Sequence, residues 1–197
     1  RRLYYGNELK DKVGEPIPHT VSKRLQAVDS GLRHSTYGVT ACVKNYMGLV
    51  TSALNTNSHN AIRYGVLGAV MGEIRPPDLN ILDCIWINAD PYSGPSTSYG
   101  GATRRDELVA SVDPVAVDVW AATNILIPAF VDNGYSAPWP SPDATPDDPS
   151  SDFRVYLDNS MQQILAGGFD VTNDLDRIDV LLNNAGVNKP MNFLDVT

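Results

Sequence analysis

The chain has 197 residues, 43% of them hydrophobic and 19% charged, which suits one domain with an ordinary core and excludes global disorder or two large domains. Fifteen Lys and Arg against 23 Asp and Glu leave a net charge of −8, the wrong sign for a surface that neutralises phosphates, so neither nucleic acid nor an anionic membrane is an expected partner. Two cysteines, Cys42 and Cys84, are too few to ligate an iron–sulfur cluster.

The chain opens at Arg1 and its first methionine is Met47, so it is expected to lack an N-terminal part of a longer protein and to be cytoplasmic, or exported with its signal removed. Residues 1–20 carry charge, Gly14, Pro16 and Pro18 without periodicity and read as an arm, leaving 21–197 as a single α/β domain. Leu25-Gln26-Ala27-Val28 is a short strand candidate. Val39, Val43, Met47 and Val50 follow helical spacing and predict a helix over 39–54, and a second helix over 61–74 stops at Pro76-Pro77. Residues 80–87 read as a buried strand. The Gly-, Ser- and Pro-rich stretch 89–105 is longer than the usual connection and reads as a functional loop.

A strand over 108–112 then meets Asp113-Pro114, an N-cap followed by proline at the first helical position, and a helix through about Leu126. Five prolines in 136–150 make that segment an extended crossing or flexible insert. Residues 152–166 read as a helix and 178–182 as a last strand. Strands alternating with helices predict a mostly parallel or mixed sheet flanked by helices. No stretch reaches the length of apolar residues that a membrane span needs.

Asp118 shares a helix face with Val115, Ala122 and Ile125, so a carboxylate interrupts an apolar stripe. Such a group needs a cation, hydrogen-bond donors or a ligand, or else it reaches water or caps a neighbouring helix. Asp83 stands equally out of place inside Ile81-Leu82-Asp83-Cys84-Ile85, and Asp113 is accounted for by capping. Gly100-Gly101-Ala102-Thr103-Arg104-Arg105 has amides and guanidinium groups for an anion, or is a solvated loop. Asn183-Asn184-Ala185-Gly186 is similar to a turn of short-chain dehydrogenases, but no G-x-G-x-x-G occurs, which leaves an ordinary strand and turn.

His34 with Gly38-Val39-Thr40 and Lys44-Asn45, then Leu79-Asn80-Ile81-Leu82-Asp83, then Ser111-Val112-Asp113-Pro114-Val115-Ala116-Val117-Asp118, resembles the family catalogued as domain of unknown function number 362, over about residues 21–182. Members usually carry a lysine two residues before the histidine, where this chain has Leu32. The resemblance implies one α/β domain and a shared polar set of His34, Lys44, Asn45, Asp83, Asp113 and Asp118. It implies no particular reaction.

The site expected from these residues is a polar cleft at one edge of the sheet, covered by the 89–105 loop, that takes a small molecule or a divalent metal ion. His34, Lys44 and Asp118 are the candidate catalytic residues, Asn45, Arg104 and Arg105 the ligand-binding ones, and Asp83 and Asp113 the metal ligands. The alternative is a non-catalytic binding or scaffold domain in which the same polar residues satisfy one another.

Overall fold

The computed structural model describes residues 20–23, 33–34, 38–48, 61–92, 101–178 and 181–184. A four-stranded mixed sheet runs in the order β1 (Thr20–Lys23), β4 (Leu79–Asn88), β5 (Ala102–Ser111) and β6 (Leu181–Asn184). β1 pairs parallel to β4, whereas β4–β5 and β5–β6 are antiparallel. A separate two-residue ladder joins β2 (Arg33–His34) to β3 (Gly38–Val39). The sheet is therefore mixed, the second of the two arrangements expected from the sequence, with one parallel and two antiparallel pairings among the described strands. The register shows it: Asn80 lies opposite Ser111 and Asn88 opposite Ala102, so β5 runs back along β4.

β4 buries Asn80, Leu82 and Cys84 on one face and leaves Ile81, Asp83 and Ile85 half-buried on the other, the alternation of a strand packed against a core on one side. Leu82 lies opposite Val109, and both are fully buried. Between Cys84 and Trp86 two steps along β4 match three along β5, from Glu107 to Arg104, so β5 carries a bulge. Asp106 sits in it with φ of 58°.

The 39–54 helix is much shorter than expected among the described residues: α1 spans Cys42–Asn45, followed by a 3₁₀ turn at Tyr46–Gly48. The second helix starts with a 3₁₀ turn, Ile62–Tyr64, before α2, Val66–Glu73. α3 runs Pro114–Asp132, beyond the expected end at Leu126, and its middle, Ala122–Leu126, is π-helical. The wider turn lies just before Pro128, which has no amide to donate and whose ring crowds the preceding turn. α4 spans Asp152–Ala166 as the sequence predicts, with the Ser151 hydroxyl accepting from Arg154 N. The last strand begins at Leu181, three residues later than predicted. The Leu25–Val28 strand and most of the 1–20 arm lie outside the described residues, and only Thr20 of that arm is seen, at the start of β1.

The core lies between the inner face of the sheet and α1 and α3, with α2 packed against α4. Glycines let α2 and α4 meet closely: a Cβ on Gly68 would run into the Ser160 carbonyl, and one on Gly72 would meet the Gln163 carbonyl at 2.5 Å. By length and composition α3 is apolar enough to cross a bilayer, with a mean hydropathy of 1.5, which the shorter helix expected from the sequence is not. Val115, Val119, Ile125 and Phe130 place it instead in this protein's own core.

Candidate functional site

The shared polar set centres on the start of α1. Ala41 occupies its N-cap position and offers no side-chain acceptor, so the first amides of this short helix must find one elsewhere. Asp118, one turn inside α3, supplies it: Oδ1 accepts from Cys42 N at 2.7 Å and Oδ2 from Val43 N at 3.0 Å. The residue is 0% exposed. A carboxylate interrupting an apolar stripe is thus a cap supplied by one helix to another, the role that the sequence left open beside ligand binding. Neither oxygen reaches solvent, so Asp118 acts on position rather than on an outside substrate.

α1 then carries Lys44, 9% exposed, and Asn45, half-buried. His34 pairs with Gly38 in the β2–β3 ladder, and only Thr40 and Ala41 separate β3 from α1. Gly38 has φ of 74° and lies against the backbone of Asp143 and Ala144, where any Cβ would collide with the Asp143 carbonyl. Thr40 is 3% exposed, and its Oγ1 has no hydrogen-bond partner among the described residues. A buried hydroxyl of this kind calls for a water or a ligand atom. In the sequence Thr40 is only part of Gly38-Val39-Thr40, and its one signal is a polar residue between the apolar Val39 and Ala41.

Asp113 stands elsewhere. Its Oδ1 accepts from Val115 N at 2.7 Å and Ala116 N at 3.0 Å, the N-cap expected from Asp-Pro, and its Oδ2 accepts from Thr172 N at 2.7 Å. Burial holds its carboxyl above the usual value and nearby Asp170 adds to this, while the three amides oppose it. A half-open hollow of about 150 Å³ lies here, bounded by Ser111, Asp113, Ala116, Thr172, Arg177 and Ile178.

Antiparallel pairing separates the remaining candidates. Asn80 is opposite Ser111 and Asn88 opposite Ala102, so the end of β5 that leads to Asp113 is far from the 89–101 connection. From Arg104 to Ser111 the strand covers roughly 20 Å. One cleft holding both Asp113 and the 89–105 loop, as expected for parallel strands, is corrected on this ground. Arg104 and Arg105 lie in β5 rather than in a loop: Arg104 pairs with Asp106 at 2.7 Å, and Arg105 with Asp132 at 2.7 Å. Asp83 is on the face of β4 opposite to Cys84, where its Oδ1 accepts from Ile85 N at 3.0 Å. Among the described residues no three His, Cys, Asp or Glu side chains gather as a metal cluster.

Both cysteines are buried and free. Burial pushes the Cys84 thiol well up, and Glu107, Asp83 and Asp118 add to it, so it stays protonated and is a poor nucleophile. Tyr156, fully buried, is raised by burial and by the charge of Asp118.

Residues 33–123, a little under half of the chain, match the model of a family described as a domain of unknown function, DUF362. The match takes in β2, α1, β4, β5 and the first half of α3, and so both partners of the Asp118 cap. No curated protein and no solved structure matches the chain.

Proposed function

We propose that this domain binds a small ligand at the β2–β3–α1 corner, with Thr40, Lys44, Asn45 and the His34 turn as its working residues. Asp118 and Asp113 are positioning residues in this reading. The observation that carries it is the Thr40 hydroxyl, buried beside the start of α1 with no hydrogen-bond partner among the described residues. Buried polar atoms in folded proteins are almost always satisfied, so an orphan just ahead of the helix that carries Lys44 marks where a polar ligand atom or a bound water belongs. The ligand chemistry that suits a lysine, a hydroxyl and a carboxamide is a small oxyanion-bearing molecule. A divalent cation, with His34 among its ligands, belongs in the same screen.

A second reading, a non-catalytic scaffold domain, is favoured by the two aspartates whose oxygens accept backbone amides. One experiment separates the two. The native protein is screened by thermal shift and mass spectrometry against small anions, organic acids and divalent cations, and any hit is repeated with His34→Ala, Lys44→Ala and Thr40→Val. Binding lost in variants that melt near the wild-type temperature supports the ligand site. Binding kept in all three, or no hit together with a loss of about 1–3 kcal/mol in each of the His34 and Lys44 variants, supports the scaffold.

A further inference from the structure

The ladder that bears His34 lies against a part of the chain beyond the family match, and one carboxylate of α4 binds that part at the point of contact. Asp152, in the first turn of α4, accepts from Asp143 N at 2.8 Å and Ser141 Oγ at 3.1 Å through Oδ2, and from Arg63 Nη1 at 2.8 Å through Oδ1. Phe153 N in turn donates to the Asp143 carbonyl at 3.0 Å. Asp143 is therefore held from both its amide and its carbonyl by two consecutive residues of α4. That carbonyl is the atom against which Gly38 is packed, and the neighbouring Ala144 is 1% exposed in the core. Gly38 is the ladder partner of His34.

We infer that Asp152 is a positioning residue for the β2–β3 ladder that bears His34, acting through the Asp143 backbone on Gly38. The Pro-rich segment 136–150 is thereby a buttress for that ladder rather than a free connection. The functional weight of this inference rests on the ligand-site reading, but its geometry does not. The carboxylate does what no apolar residue can: it accepts from a loop amide and a loop hydroxyl while its other oxygen accepts from Arg63, just ahead of α2. The Asp143 carbonyl fills the place where a Cβ on Gly38 would stand, so a displacement of Asp143 reaches the ladder strand directly through its backbone.

The test uses the full chain, labelled for NMR, with the three histidine signals assigned by His→Gln variants. Asp152→Ala is expected to move the His34 resonances, and to speed amide exchange over residues 38–45 about tenfold. Asp158→Ala serves as the control for the rest of the segment, because Asp158 binds Asn173 and the Arg154 that donates to the Pro146 carbonyl, whereas the Asp143 amide donates to Asp152. It should leave His34 in place. Asp152→Asn keeps one acceptor oxygen and is expected to give a smaller shift of the same sign, which keeps the test available if Asp152→Ala does not fold. An unmoved His34 in a folded Asp152 variant, or an equal shift in Asp158→Ala, overturns the inference. Ligand binding is scored separately: a shifted His34 in a protein that binds nothing sinks the functional reading and leaves this one standing.

Discussion

Asp113 Oδ2 accepts from Thr172 N at 2.7 Å, tying the residue that starts α3 to a segment 59 positions later. Because burial raises the folded carboxyl above its unfolded value, the folded state takes up the proton more readily than the unfolded chain. The contribution of this group to stability is fully present below the ordinary carboxylate value and is lost as pH rises through the raised folded value. Asp113→Asn has no such titration. The stability of the wild type minus that of Asp113→Asn should therefore grow as pH falls from 7 toward 4, measured by urea unfolding at several pH values; a gap that shrinks on acidification would contradict the assignment.

Asp118→Asn leaves one of the two α1 amides facing an NH₂ group instead of an acceptor. At a site with no exposure, a stranded donor costs about 1–3 kcal/mol, and the variant should melt lower by a corresponding amount. A variant as stable as the wild type would remove Asp118 as the cap of α1.

Thr40→Val exchanges a buried hydroxyl without a partner for a methyl of nearly the same shape. In the ligand-free protein this is expected to stabilise by about 1 kcal/mol, the reverse of the usual loss for a core substitution. A loss of more than about 1 kcal/mol in calorimetry would show that the hydroxyl is satisfied within the fold.

Gly68→Ala drives a methyl into the Ser160 carbonyl, so α2 and α4 must separate or bend. Overpacking of this kind costs about 1–3 kcal/mol, whereas Gly134→Ala, at φ of 85° with open space around it, should show only the cost of left-handed backbone. Chemical denaturation of the two variants gives the comparison, and equal effects would argue against close α2–α4 packing.

Cys42 and Cys84 should be recovered as two thiols. Intact mass under non-reducing conditions should match the fully reduced chain, and alkylation should be slow until the protein is unfolded, since both side chains are buried and the Cys84 thiol is held protonated. Rapid labelling of Cys84 in the native protein would show that β4 opens locally.

Several features could be read from the residues alone because they are local. Asp113-Pro114 specifies a helix start through a side chain and its neighbours within three positions, and α4 is bounded by Ser151 and by Gly167-Gly168. The direction of β5 was not local. The 89–101 connection is long enough for either sense, and only pairing of Leu82 with Val109 decides it. Loss of the parallel arrangement then separated Arg104 and Arg105 from Asp113. Asp118 was legible as a conflict between residue and environment, but its partners are the amides of Cys42 and Val43, and backbone donors leave no letter in a sequence. Thr40 escaped notice for the opposite reason: a threonine before a helix is ordinary until its hydroxyl is found buried.

The Asp118 cap also sets an order of events. Cys42 and Asp118 are 76 positions apart, whereas the paired ends of β4 and β5, Asn88 and Ala102, are 14 apart (102 − 88). Closing the longer loop in a disordered chain is disfavoured by about 1.5 kcal/mol more, and the cap has no acceptor until α3 has docked. The β2–β3–α1 corner is thus assembled late on the path from the disordered chain, after the β4–β5 pair and α3 have made a surface to receive it. Nascent or truncated chains that end before Asp118 carry Thr40 and Lys44 in sequence but lack the carboxylate that caps α1.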